Sequence, residues 1–393
     1  MTQTDLGTTR AATDGHPPAT SVRVAQHLIG GRVVAATGDR ELHRTDPVTG
    51  GPGVVVVPAT ATEVDAAVTA AWEARDAWRR TAPSERAAAL RAAATAITAA
   101  ADRLGATLTA STGRLLSQST ESAHVAASLF EEAAVTGLGP TGRSLAGASG
   151  ALDVVRREPH GVVAVITPWN DPLPAAAGLL AAALVTGNTV VHKPSERSAA
   201  PGWEMARLIA EALPPGVLQV LTGDGETGAA LVADERVALV AQVGSSATGR
   251  RIATTVGARG GRVLLENGGK DPILVDAGVD PVWAAQQIAT GAFVNSGQLC
   301  TSVERVYLHD DVADAVVDAL VEIAAGMTVG DPTDAATGLG PLVDADQLAV
   351  VDRHVREAVA AGARCRTGGS PLDRAGSWYP RRSWTGARRT STS

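Results

Sequence analysis

The sequence predicts a layered α/β protein built on a parallel sheet. Three features point to it: short β-branched runs recur from Gly161 onward, a turn or proline closes each run, and a helical segment follows each one. In chain order, residues 1–24 are polar, rich in Thr, Ala, Gly and Pro, and are expected to be a disordered tail. From about Glu63 to Leu138 the pattern is Ala-rich and helical. Pro83-Ser84-Glu85-Arg86 supplies a helix start before the run Ala87–Ala101. Leu152–Glu158 reads as a short strand or arm. Val162–Ile166 is a strand ended by Pro168, and Thr189–His192 a second ended by Pro194. Between them, Pro174–Val191 is alanine-rich and is interrupted by Gly178, Gly187, Asn188 and Thr189. It therefore reads as a buried helix leading into a strand, not as a membrane span. Val217–Leu221 and Val237–Val243 repeat the strand form, and Val263–Leu265 and Ile273–Val275 open a further α/β segment. In such a sheet, ligands are expected at the carboxyl ends of the strands.

Composition excludes several classes of function. The chain has 393 residues, 45% hydrophobic and 19% charged, an ordinary globular mixture. A net charge of -7 argues against nucleic acid or an anionic membrane as partner, and 3% aromatics leave little for base stacking. Two cysteines, Cys300 and Cys365, are too few for a disulfide framework and suit a reducing cytoplasm. The first twenty residues show no positive region leading into an apolar run, so no signal peptide is expected. The eight histidines are scattered without metal-ligand spacing, and no metal site is expected.

Two glycine-rich segments are candidates for phosphate binding. Gly223-Asp-Gly-Glu-Thr-Gly228 matches G-x-G-x-x-G after a strand, but Gln242 and Val243 stand where the dinucleotide fingerprint wants an acid for the ribose. An ordinary Gly-rich turn, a modified cofactor contact and a standard Rossmann loop all remain open. Gly244-Ser-Ser-Ala-Thr-Gly249 is followed by Arg250-Arg251, where a P-loop needs Lys then Ser or Thr, so triphosphate hydrolysis is rejected. A strand, a loop of small residues and a helix start survive, whose backbone N–H groups would suit a pyrophosphate. Cys300, in Asn295-Ser-Gly-Gln-Leu-Cys-Thr301, is by itself either a small buried apolar residue or a nucleophile.

Three further segments bear on that choice: Thr167-Pro-Trp-Asn170, Lys193-Pro-Ser-Glu196 and Leu265-Glu-Asn-Gly-Gly-Lys270. Together with the Cys300 segment they stand in the order and spacing of the aldehyde dehydrogenase superfamily, which the chain resembles from about Leu28 to Pro380. The resemblance implies a Rossmann-like cofactor domain over 25–265, with an arm near 138–158, and an α/β catalytic domain over 266–380. It implies Cys300 as nucleophile, Glu266 as the base that activates water, and the Asn170 amide with the Cys300 N–H as holders of the oxyanion. Lys193 and Glu196 resemble the family's adenosine-ribose clamp. Gly244 and Ser245 resemble its pyrophosphate loop, Gly228 a close backbone approach near the adenine, and Thr167 and Trp169 join the cofactor set. The implied cofactor is NAD in preference to NADP, because Glu196 would face a 2′-phosphate with like charge. The implied substrate is a small aldehyde, and the implied assembly a cytoplasmic homo-oligomer. A CoA-acylating relative and a pseudoenzyme that binds nucleotide are the alternative readings, and retention of Glu266 favours water over CoA as acceptor.

The chain also departs from the family's pattern. Asn267 stands for the usual Leu, Gln242-Val243 for Phe-Thr, and Asp171 for an aromatic. Asp171 reads either as a selector of polar or cationic aldehydes or as a helix N-cap before Pro172. After Trp378-Tyr379-Pro380 the likeness breaks off. Residues 381–393 are expected to be a frameshifted tail replacing a Glu-x-Phe-Gly-Pro motif and a pairing strand, leaving exposed apolar faces, poor solubility and at most trace turnover.

Overall fold

The computed structural model describes residues 22–139 and 142–380, and the backbone of 383–385. Its centre is a seven-stranded sheet in the order Arg262–Glu266, Val237–Val243, Val162–Ile166, Thr189–Lys193, Leu218–Val220, Gln26–Ile29 and Arg32–Ala35. The first five strands are parallel, and the last two form an antiparallel hairpin at the edge. Chain order therefore runs outward in both directions from Val162–Ile166, the doubly wound arrangement. The composition of the strands explains their position. Val162–Ile166 and Thr189–Lys193 are buried along almost their whole length, as parallel strands covered on both faces must be. The edge hairpin turns through Gly30 and Gly31, both at positive φ, which a two-residue type I′ loop requires and glycine supplies without strain.

Two cores flank the sheet. Val163, Val165 and Val190 face a layer made by the helices Pro83–Ala99, Ala101–Thr112, Leu116–Thr136, Pro172–Val185 and Ala199–Glu211. Val162, Ala164 and Val191 face the helices Ala61–Arg80, Gly225–Ala233 and Ser246–Ala258. Phe130, Leu90 and Leu180 are among the fully buried side chains of the first layer, each worth roughly 1.5–3 kcal/mol relative to exposure. The helix expected from Pro83 begins there, with Pro83 in its first turn and Glu85 accepting from the Ala82 N–H at 3.2 Å. The apolar stretch after Pro174 is the buried helix Pro172–Val185 leading into Thr189–Lys193, as expected. No helix among the described residues is long and apolar enough to cross a membrane.

Past Glu266 the chain leaves the sheet. Asp271–Val275 and Val303–Leu308 pair in parallel and pack on Pro281–Phe293 and Asp310–Gly326. The arm expected near Leu152–Glu158 is the strand Asp153–Arg156, paired with Gly142–Leu145 and exposed throughout.

Two boundaries differ from expectation. The tail expected through residue 24 ends earlier, because Arg23–Val24 pairs in parallel with Val55–Val56 of a small three-stranded sheet. Residues 383–385 pair with Arg364–Thr367, and the rest of the expected aberrant tail, like residues 1–21, lies outside the described residues.

Candidate active site

The sheet order sets where the site lies. The connection from Val162–Ile166 leaves toward one helical layer, and that from Val237–Val243 toward the other. The connections leaving their carboxyl ends therefore diverge and open a crevice. The crevice is a cleft of about 440 Å³, and all seven residues expected to hold the cofactor line it: Thr167, Trp169, Lys193, Glu196, Gly228, Gly244 and Ser245.

Local structure fixes the place of most of them. Lys193 ends a central strand and is only 4% exposed. Its Nζ donates to the carbonyls of Pro194 at 3.0 Å and Gly223 at 2.9 Å. Burial pulls the ammonium below the usual lysine range, while Glu196 and Asp224 act in the opposite direction. Glu196 opens the short turn Glu196–Ser198 that Ser195 caps by accepting from the Arg197 N–H. Gly228 lies against the Lys193 stem, where a Cβ would sit 3.4 Å from Lys193 Cε. The G-x-G-x-x-G segment is thus a turn into the helix Gly225–Ala233, capped by Asp224, whose last glycine leaves the cleft open. Ser245 caps the helix Ser246–Ala258 by accepting from the Thr248 N–H at 3.2 Å. One expectation for this loop is corrected. The Gly244 N–H is not free for a pyrophosphate, because it donates to the Glu266 carbonyl at 3.0 Å. Beneath Thr167 lies His192, fully buried, its Nε2 2.9 Å from Thr167 Oγ1. Burial first, and Lys193 beside it, push its pKa down to about 3, so the imidazole is neutral.

The residues expected to react lie on segments that neighbour those of the cleft: Asn170 follows Trp169 of its wall, and the Glu266 carbonyl accepts from the Gly244 N–H. Glu266 is the last residue of the edge strand Arg262–Glu266 and is exposed. Cys300, also exposed, lies on the loop between a turn at Val294–Gly297 and the strand Val303–Leu308. The segment after Glu266 passes close to it, since a Cβ on Gly269 would stand 2.9 Å from the Cys300 carbonyl. The turn is strained: Asn295 and Ser296 sit at φ 51 and 59. Side chains hold it in place. Asn295 Nδ2 donates to the Asn170 carbonyl at 3.0 Å, Ser296 Oγ to the Gly340 carbonyl at 2.9 Å, and the Asn295 N–H to Gln118 Oε1 at 3.2 Å. The Cys300 loop and the Asn170 turn are therefore tied directly together. Among the described residues no group of three or more His, Cys, Asp or Glu could hold a metal ion.

The aldehyde dehydrogenase family model matches residues 33–380. The chain belongs to the aldehyde dehydrogenase family. This aldehyde dehydrogenase is 38% identical over 357 residues to phenylacetaldehyde dehydrogenase of Pseudomonas fluorescens, covering 88% of this chain and 71% of that protein. Its fold matches that of an NAD-dependent aldehyde dehydrogenase from Sinorhizobium meliloti with a TM-score of 0.91 and 31% identity, over 95% of this chain and 75% of that one. It matches an NADP-dependent enzyme from E. coli with a TM-score of 0.88 and 30% identity, over 92% and 76%. A nicotinamide dinucleotide is therefore the cofactor class, and aldehyde oxidation is favoured over the pseudoenzyme reading.

Several residues at the site escaped the motif reading. Arg114, 7% exposed, donates to Asp171 Oδ1 at 2.6 Å and reaches toward the Asn170 carbonyl at 3.4 Å. Ser122 Oγ donates to the same Asp171 oxygen at 2.9 Å. Asp171 does stand at the N-cap position, but its side chain makes no capping bond. Its charge faces Arg114, so it is not a free anion for a cationic substrate. Nothing local marks Arg114, which lies 57 residues from its partner. Asn295 heads the Cys300 motif, but its contact with Asn170 spans 125 residues and is invisible before folding.

Proposed function

We propose that this aldehyde dehydrogenase oxidises a small aldehyde to a carboxylate, with Cys300 as nucleophile, Glu266 as general base and Asn170 in the oxyanion site. The tie between Asn295 and Asn170 carries the reading, because it fixes the Cys300 loop beside the turn that bears the amide. The Cys300 thiolate attacks the carbonyl carbon, forming a C–S bond and an oxyanion. The Asn170 amide and the Cys300 N–H donate to that oxyanion. A bound nicotinamide dinucleotide supplies the hydride acceptor that takes the carbon to thioester level. Glu266 then takes a proton from water, the hydroxide adds to the thioester carbon, and the C–S bond breaks to release carboxylate and thiolate.

The residues of the cleft fit such a cofactor. They stand at the carboxyl ends of parallel strands, beside a capped helix start, with Gly228 bare and one buried acceptor in the wall unpaired. NAD is the preferred form. Glu196 lines the cleft and would accept from ribose hydroxyls but repel a 2′-phosphate, while the Lys193 ammonium is held by two carbonyls. NADH formation from an aldehyde panel, with and without CoA, tests the activity; turnover that requires CoA would replace water as acceptor. Titrating both cofactors tests the preference, and tighter binding of NADP would overturn it.

A further inference from the structure

The strand Val237–Val243 carries an amide where its neighbours are apolar. Gln242 lies in register with Ile166 on one side and Leu265 on the other. It is 1% exposed and lines the cleft. Its Oε1 is fully buried and finds no hydrogen-bond partner among the described residues. Buried acceptors are nearly always paired, so an orphan at a cleft wall needs a reason. A Leu or Met would fill this place without leaving a polar atom stranded.

The next loop makes room for the amide. A Cβ on Gly244 would collide with Gln242 Nε2, so the glycine leaves space for the side chain beneath the loop that starts the helix Ser246–Ala258. The amide is thus accommodated at the cleft, yet its acceptor is unused.

We propose that Gln242 is a cofactor-contact residue whose Oε1 accepts a hydrogen bond from an N–H or O–H of the bound dinucleotide. The inference rests on the reading of this cleft as the dinucleotide site. The desolvation of Oε1 is incurred on folding, so a ligand donor that meets it adds to affinity with little further loss. Such an acceptor discriminates against ligands that present a lone pair at the same place.

The test separates a contact from a merely structural residue by two readouts of opposite sign. Gln242→Leu and Gln242→Met are made in the full chain. Thermal melting of the cofactor-free protein is measured, and NAD, ADP-ribose and AMP are titrated by tryptophan fluorescence, Trp169 being in the cleft wall. Removing an orphaned acceptor leaves the cofactor-free Tm unchanged or raised, while the Kd for NAD rises about five- to tenfold. A loss shared by AMP places the donor in the adenosine half, and a loss seen with NAD alone places it in the nicotinamide half. Wild-type Kd values in both variants would overturn the inference, as would a lowered Tm accompanying the weaker binding in both. If the wild-type chain binds no dinucleotide, the cofactor reading fails and takes this one with it.

Discussion

At the scale of single residues, sulfur is what distinguishes the reaction proposed for Cys300. Cys300 is exposed, and sulfur is a far stronger nucleophile than a serine hydroxyl, whose ester would in addition be a poor acyl donor. Cys300→Ser is expected to abolish NADH formation, a loss of at least ~1000-fold, while leaving the NAD dissociation constant within about twofold. Retained wild-type turnover would remove Cys300 from the mechanism. Glu266 acts later, on the thioester. Glu266→Gln should therefore give a burst of NADH followed by little turnover, visible in rapid-mixing kinetics. A slow burst would show that Glu266 serves the first half-reaction as well.

Helix starts and loops determine how those residues meet. The pair Arg114–Asp171 joins the loop after Ala101–Thr112 to the start of Pro172–Val185, the helix that follows the Asn170 turn. Asp171→Ala would leave the buried Arg114 guanidinium without its charged partner and cost roughly 1–3 kcal/mol of stability, read from chemical denaturation. Because that carboxylate already faces Arg114, the ratio of kcat/KM for amino-aldehydes to that for alkyl aldehydes should stay within about twofold. A clear fall in the ratio would restore Asp171 as a substrate selector. This pair also shows where sequence reading reached its limit. The parallel strands were legible because each is a β-branched run with its own breaker, and the cleft residues because their motifs follow strand ends. Arg114–Asp171, Asn295–Asn170 and the edge hairpin Gln26–Ala35 depend on contacts between segments remote in the chain. The hairpin was missed although Gly30-Gly31 is a turn signal, since its flanking strands are only four residues each and join a sheet whose other strands begin only at Val162.

For the molecule as a whole, two buried histidines link stability to pH. His192 sits between the two cores with its pKa pushed down to about 3 from an ordinary 6.5. His27, fully buried in the edge hairpin, is also lowered by burial, against the pull of Glu63 beside it. Both have folded pKa values below the unfolded one. As pH falls through 6.5, the unfolded chain takes up protons that the native chain refuses, so stability declines with acid. For His192 the decline continues until pH nears 3, where the native imidazole begins to charge. Glu63 adds to the loss at lower pH. Burial would raise its pKa, but hydrogen bonds from Thr60 and Thr37 and the nearby His27 leave it net lowered, so its contribution fades only as pH falls below the ordinary carboxylate range. The signature of His192 is thus the interval between pH 6.5 and about 4, before carboxylates dominate. His192→Gln keeps a partner for Thr167 Oγ1 but cannot take up a proton. Its melting temperature is expected to fall less steeply than wild type across that interval, although it starts lower at pH 7.5 if the new amide packs less well. Parallel Tm profiles from pH 7.5 to 4 would show that His192 does not set the acid response, and would leave His27 and its contact with Glu63 as the source of the slope.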